Sequence, residues 1–283
     1  YITAPSIHNN GAGINNTSEL SQRFYVTYDC GDAPDTYHTL LSNCGPVHLA
    51  VNTNLKIGST VTIDLDGIPG VQANGDVDDG ISSFPSLTVK STTYSLTSIP
   101  VTNTTGSTAT LYAWIDFNRN GSFESTEYTS ASVANGAATA TLTWNLASFT
   151  CGSTLVNGVS YLRMRLTTDA LADNAATTNV DERSYGLASD GEVEDYKLYI
   201  AGYDYGDLPN TYPIASTICL EDTATAKVWA GVTKPSRECT QKFSADASGD
   251  GAEEDGLTTA IGPSGASYNW VIRLNANQAA KTV

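Results

Sequence analysis

Hydrophobic and polar positions alternate with a period of two along several stretches of the chain. The alternation is clearest over residues 111–117 and 162–166, and residues 139–144 and 60–63 are rich in β-branched and aromatic side chains. Such segments are typical of strands with one buried face. Because no segment shows a sustained apolar stripe at helical spacing, the pattern predicts an all-β protein.

An internal repeat indicates two modules. The sequence YDCGDAPDTY at residues 28–37 recurs as YDYGDLPNTY at residues 203–212. Repetition of this kind predicts tandem units, which we expect to be β-sandwich modules at 28–201 and 202–283, the second truncated because it stops short of a full repeat length. Residues 1–27 precede the repeat, and they are either a lead-in segment or the end of a preceding domain.

The charge balance excludes one large class of partner. The 283 residues include 30 acidic and 14 basic side chains, which gives a formal net charge of -16. Nucleic-acid binding requires a basic face, so we expect no nucleic-acid partner.

The apolar runs are far shorter than the ~20 residues that span a bilayer, so we expect no membrane span. Only 16% of residues are charged, and a surface rich in Ser, Thr and Asn indicates a secreted or cell-surface protein.

The most specific motif is DFNRNGSFESTE at residues 116–127, which fits the twelve-residue calcium loop at each diagnostic position. Oxygen ligands at the required spacing come from the side chains of Asp116, Asn118, Asn120 and Glu127 and from the carbonyl of Ser122. A strand enters this loop where a helix would enter in a calcium sensor, so we expect a structural calcium ion. The alternative is an Asn-Gly turn with solvated acids.

Acidic residues also gather elsewhere in both modules. In the first module they are Asp64, Asp66, Asp76, Asp78 and Asp79. Asp32 is expected nearby, and it belongs to the motif at residues 31–37, which we call the opening motif. In the second module the expected ligands are Asp250, Glu254 and Asp255. Closely spaced carboxylates repel unless cations or hydrogen bonds intervene, which favours calcium over a flexible acidic loop. The twelve-residue loop itself has no counterpart in the second module, where Arg273 aligns with its first position.

The segment that closes the first module places two acids on an apolar strand face. In a regular strand Glu192 and Glu194 share the face of Leu198, and buried carboxylates need compensation. One hypothesis pairs them with Arg163 and Arg165, provided that a bulge corrects the facing. The other makes them ligands of a shared metal site.

The five cysteines contain no CxxC pair, and the histidines lack zinc-ligand spacing, which favours disulfides over a metal–thiolate site. We predict the pairs Cys30–Cys44 and Cys219–Cys239, with Cys151 unpaired.

Three motifs in order resemble the GEVED family of domains. They are GDAPDTY at 31–37, DFNRNG at 116–121 and GEVEDY at 191–196. The resemblance covers 28–201 well and 203–283 in part. It implies a β-rich extracellular module of large bacterial surface proteins, associated with adhesion or anchoring, and it supplies no catalytic residues.

These observations predict a non-catalytic protein, since the chain has no GxSxG, HExxH or P-loop motif. We expect a calcium-stabilised spacer or building block of an adhesin or filament. Its partners would be neighbouring modules, and other copies of itself through strand addition at open sheet edges. The alternative is a calcium-dependent head that binds surface glycans or proteins through Tyr112, Trp114 or Trp144, and an accessory domain of a secreted hydrolase is less expected.

Overall fold

The computed structural model describes residues 28–49, 51, 53–174, 179–213, 216–219, 228–230, 237–245, 249 and 272–274. Its strands are β1 (Tyr28–Cys30), β2 (Val47–Leu49), β3 (Leu55–Ile57), β4 (Leu87–Thr88), β5 (Thr93–Asn103), β6 (Ala109–Ile115), β7 (Tyr128–Val133), β8 (Thr139–Asn145), β9 (Gly158–Thr167), β10 (Leu187–Ala188), β11 (Glu192–Tyr205), β12 (Ser216–Cys219), β13 (Val228–Ala230) and β14 (Ile272–Leu274). Short 3-10 helices span Asp35–Tyr37, Leu41–Asn43, Ser125–Glu127 and Glu182–Ser184. The predicted all-β class is confirmed.

Two sheets enclose the main apolar core. One has the strand order β12-β11-β9-β6-β7, with β4 added to β11, and the other has the order β3-β5-β8. Buried side chains from both sheets form a single cluster, to which β6, β9 and β11 contribute Leu111, Leu162 and Leu198 and the facing sheet contributes Ile57 and Leu142. Burial of this shared core is the main stabilising contribution of the two-layer arrangement.

Most of the predicted strands are present, with one exception. The segments 111–115, 139–144 and 162–166 lie in β6, β8 and β9, as the alternation predicts. The strand predicted at 60–63 is wrong, because this segment does not join a ladder. The amide of Thr62 instead donates to the carboxylate of Asp78, and pairing resumes only as a single bridge between Asp64 and Tyr28.

Both faces of β6 and β9 are buried, although the alternation predicted one solvated face. The second face carries Tyr112 and Trp114 of β6 and Tyr161 of β9, and Tyr37 and Phe123 pack on them. The opening motif and the 116–127 loop therefore form a layer over the outer side of the sheet. This layer brings the sequence motifs together around β9 and β11.

The disulfide found in the structure joins Cys151 to Cys239, 88 residues apart. The predicted pairing is therefore wrong for Cys239 and Cys151, and Cys30 and Cys44 are free thiols. Cys30 is buried on β1, whereas Cys44 is exposed after the 3-10 helix Leu41–Asn43. Proximity in sequence does not bring these two thiols together.

The closing strand β11 continues to Tyr205, past the predicted module boundary at 201/202. Beyond it, β12 pairs with β11, and β13 pairs with β14. Most of the predicted second module, including Asp250, Glu254 and Asp255, lies outside the described residues. Within the described part of the chain, no helix is long and apolar enough to span a membrane.

Candidate metal centre

The predicted calcium loop begins where β6 ends, and its first and last ligands are both buried. Asp116 accepts hydrogen bonds from the hydroxyl of Tyr37 at 2.6 Å and from the amide of Gly121 at 2.9 Å. Glu127 accepts from the amide of Phe117 at 2.7 Å. Neither side chain is more than 1% exposed. The loop therefore places two carboxylates in the interior, anchored mainly by uncharged donors.

The electrostatics of this loop disfavour two unscreened negative charges. Burial, together with the charge of Asp116, raises the pKa of Glu127 to about 9. Arg119 lies within the loop, but its guanidinium donates to the carbonyls of Asn157 and Val159. The basic residue of the loop is thus directed to backbone oxygens, and a bound cation would offset the buried charge.

The predicted ligands in the middle of the loop are engaged in local hydrogen bonds. The Oδ1 atoms of Asn118 and Asn120 accept from the amides of Asn120 and Ser122, both at 2.9 Å. Their side-chain amides donate to Glu124 at 3.0 and 2.7 Å. Glu124 was not predicted, although its carboxylate holds both asparagine side chains.

Among the residues that the structure describes, no group of three or more His, Cys, Asp or Glu side chains is arranged to hold a metal ion.

The acids of the 64–79 segment separate into buried and exposed sets. Asp64 and Asp78 are buried, whereas Asp66 and Asp79 are exposed. Asp66 accepts from the amide of Leu41 at 2.8 Å, which directs its carboxylate to an outer turn. The sequence could not separate these sets, because the segment has no regular strand alternation that would mark an inner face.

Two further acids approach the buried set. Asp32, from the opening motif, accepts from the amide of Gly75, and its Oδ1 has no hydrogen-bond partner. Burial and the charge of Asp195 raise the pKa of Asp32 to about 7. Burial and the charge of Asp32 raise the pKa of Asp76 to about 9. The predicted proximity of Asp32 to this cluster is confirmed by these interactions.

The motif at residues 191–196, which we call the closing motif, has acids on both faces of β11. Glu192 and Glu194 lie opposite Leu166 and Met164 of β9, so they face the main core. Asp195 lies opposite Arg163 on the other face, and their side chains form a fully buried ion pair at 2.7 Å. The hypothesis that the two glutamates pair with the β9 arginines is wrong, because the ladder between β9 and β11 is regular at these positions.

The second β9 arginine binds a buried histidine. Arg165 donates from Nε to Nε2 of His48 at 3.0 Å, and its other nitrogens donate to the carbonyls of Arg183, Tyr185 and Gly186. Nδ1 of His48 lies 2.7 Å from the carbonyl of Asp190, so it carries the proton that it donates there. Burial first, and then the charge of Arg165, lower the pKa of His48 well below 6.5.

We expect the neutral state of His48 to make the fold sensitive to acid. The charged groups around this ring include Arg165, which donates to it, Asp29 opposite it on β1, and Asp190, whose carboxylate accepts from threonines. Because the folded pKa lies below the unfolded value of 6.5, the contribution of His48 to stability falls as the pH drops below that value, by up to about 1.4 kcal/mol per pH unit. Urea unfolding between neutral and acidic pH measures the slope.

His48→Gln should reduce this slope, since the amide oxygen can accept from Arg165 without taking up a proton. The matched control is His38→Gln, at a partly exposed position. Equal slopes for wild type and His48→Gln would contradict the assignment.

Several residues of the site could not be predicted from local patterns. Asp29 on β1 accepts from the amide of Val193, and Tyr196 donates to Glu194 at 2.6 Å. Tyr37 belongs to a recognised repeat motif, but no spacing rule connects it to Asp116. Repetition of Tyr28-Asp29 as Tyr203-Asp204 was the available signal for Asp29.

Fold and site define an all-β module with carboxylates buried on both sides of one central sheet. The family model described as GEVED domain matches residues 110–199, from β6 into β11. The chain therefore carries a GEVED domain, the family that its motifs indicated. No curated protein and no solved structure matches the chain.

Proposed function

We propose that this chain is a non-catalytic structural module whose fold is stabilised by calcium bound in the 116–127 loop. The observation that carries the proposal is the burial of Asp116 and Glu127 in a loop with calcium-type spacing, while Arg119 is bound to carbonyls elsewhere. Calcium binds six to eight oxygens, and the loop carries side-chain oxygens at the required positions. Rotation of Asn118 and Asn120 away from their local hydrogen bonds would direct their Oδ1 atoms to the ion.

The setting that we propose is the cell surface or the extracellular space, where the module acts as a spacer or building block of an adhesin or filament. The Cys151–Cys239 disulfide supports an oxidising compartment. The repeated motifs support a tandem arrangement in which neighbouring modules are the natural partners. Calcium would rigidify such a module by offsetting its interior negative charge.

The aromatic residues offer less support for a glycan-binding head. Tyr112, Trp114 and Trp144 are buried, and the indole Nε1 of Trp114 donates to Asp181 at 2.9 Å. These side chains pack in the two cores, where they cannot stack on an external sugar. The spacer is therefore the function that we favour. Saturable, EDTA-sensitive binding on a glycan array would instead support the head.

We expect calcium to raise the melting temperature of the protein by several degrees relative to EDTA, because a ligand that binds only the folded state stabilises it. Asp116→Asn should reduce this increment, since it removes one anionic ligand while keeping an oxygen for the Tyr37 hydroxyl. Calorimetric melting with and without calcium measures both effects.

Asp66→Asn serves as the control because it removes the same charge from an exposed turn, and its amide oxygen can still accept from Leu41. Its calcium increment should equal that of the wild type. An unchanged increment in Asp116→Asn would exclude the loop as a calcium site.

A further inference from the structure

A second group of acids lies inside the module, next to the closing motif and away from the 116–127 loop. It combines acids from β1, from β11 and from the connection between β3 and β4. We call it the interior acidic cluster, and it consists of Asp29, Asp64, Asp76, Asp78, Glu192 and Glu194. The two motif glutamates, at 1% and 2% exposure, face the same side of the sheet as the main core. Five of the six members are buried, and Asp76 is partly exposed.

Backbone amides fix one side of these carboxylates. Oε2 of Glu192 accepts from the amide of Ile57 on β3. Oε2 of Glu194 accepts from the amide of Gly80 at 3.2 Å and from the hydroxyl of Tyr196 at 2.6 Å. In the same way Asp29, Asp64 and Asp78 accept from the amides of Val193, Cys30 and Thr62. The acids are thus held in place by the fold itself.

One carboxylate oxygen in each of three members has no hydrogen-bond partner. Oε1 of Glu192, Oε1 of Glu194 and Oδ1 of Asp76 are buried without a donor. Arg163 pairs with Asp195, and Arg183 pairs with Asp173 and Asp181, none of which belongs to the cluster. Unsatisfied buried carboxylate oxygens are costly, so their retention requires a compensating group.

The members also disfavour each other's ionisation. Burial, followed by the charge of Glu194, raises the pKa of Glu192 to about 11. Burial raises the pKa of Asp29 as well, with Asp78 and Asp64 adding to the shift. Two states would relieve this repulsion: a bound cation, or protons retained on several carboxyls.

We propose that the interior acidic cluster is a second cation site, and that Glu192 and Glu194 of the closing motif are ligands of a calcium ion bound there with Asp29 and Asp78. This proposal deepens the proposed function, since it adds a cation to the same structural module. The donors are all oxygens, which a hard cation prefers. Calcium accepts many anionic ligands in flexible geometry, whereas magnesium retains water and demands near-ideal octahedral geometry.

Binding requires a limited rearrangement, because the carboxylates do not converge as a metal-holding group in the structure. The anchored oxygens would keep their backbone donors, while the unpartnered oxygens of Glu192 and Glu194 turn toward one point. Small concerted changes in the side-chain torsions of the two glutamates can supply that movement without displacing β11. The site would link β11 to β1 and to the connection that carries Asp78.

The test compares wild type with E192Q/E194Q in calcium and in EDTA. Glutamine keeps an oxygen for the amides of Ile57 and Gly80 but removes both charges. In EDTA the variant should melt at or above the wild-type temperature, because buried repulsion is relieved. In calcium it should bind one ion fewer per chain by elemental analysis, and its calcium-dependent rise in melting temperature should be smaller. Asp66→Asn, the exposed control, should behave as wild type.

Tyrosine-excited terbium emission reports on both sites, since the hydroxyl of Tyr37 is hydrogen-bonded to Asp116 and that of Tyr196 to Glu194. Emission that falls in part in E192Q/E194Q and in part in Asp116→Asn would support two separate sites. An unchanged ion count in E192Q/E194Q, with higher stability in both buffers, would overturn it in favour of protonated carboxyls. If only Asp116→Asn loses an ion, the proposed function stands without this site, and if only E192Q/E194Q does, the loop is excluded instead.

Discussion

Asp195→Ala is expected to destabilise the module by about 3–5 kcal/mol, because it leaves the buried guanidinium of Arg163 without its counter-ion. Asp195 accepts two hydrogen bonds from Arg163, at 2.7 and 2.8 Å, and both side chains are fully buried. It also accepts from the amide of Ala33 at 2.9 Å. The ion pair therefore fastens the opening motif to β9 and β11, so its loss removes interactions in three segments at once.

Equilibrium urea unfolding of Asp195→Ala against wild type measures this loss. The matched control is Asp173→Asn, which weakens a partly exposed pair with Arg183 at 3.9 Å and should cost under about 1 kcal/mol. If Asp195→Ala costs no more than this control, the buried pair does not fasten the opening motif.

Gly191→Ala is the second substitution expected to have a large effect, about 2–4 kcal/mol from left-handed backbone strain and steric overlap. Gly191 has φ of +86°, and a Cβ atom placed there would lie 1.7 Å from the carbonyl oxygen of Leu166. That oxygen belongs to β9, directly opposite the start of β11. The alanine would therefore push the two central strands apart where the motif begins.

Gly136→Ala provides a control at the same backbone angle. Gly136 also has φ of +86°, but nothing lies within 4 Å of the added Cβ. Its cost should be the backbone strain alone, about 1–2 kcal/mol. Thermal and urea unfolding of the two variants isolate the steric contribution, and equal losses would show that the contact with Leu166 carries no cost.

The strands of the sandwich were largely predictable because a local signal specifies them. Apolar alternation marks 111–115 and 162–166 independently of what packs on them. The same signal could not show that Arg163 and Tyr112 are buried, because the covering layer comes from residues far away in sequence. The content of β-branched residues gave a wrong strand prediction at 60–63, where the amide of Thr62 donates to the carboxylate of Asp78. Strand propensity predicts pairing poorly where a side chain, and not a neighbouring strand, accepts the backbone hydrogen bond.

The candidate sites were predictable in residue type more than in arrangement. Calcium-type spacing predicted a site in the 116–127 loop, and the structure places Asp116 and Glu127 of that loop in the interior. The facing of Glu192 and Glu194 follows from strand alternation, yet their neighbours on β1 and β3 depend on tertiary packing. The disulfide could not be deduced, because spacing favours near cysteines while the fold brings Cys151 to Cys239.

The disulfide has a mechanical consequence for a protein that we propose to be a spacer. The loop that it closes contains β9, β10 and β11, including the whole closing motif. An extended chain spans at most about 3.3–3.6 Å per residue, so the 88-residue separation conceals roughly 300 Å of contour length. With the bridge intact, tension between the segments on either side of residues 151–239 would be carried by the sulfur bridge, and the chain between the two cysteines could not be drawn out. We expect reduction of this one bond to make that length available to stretching.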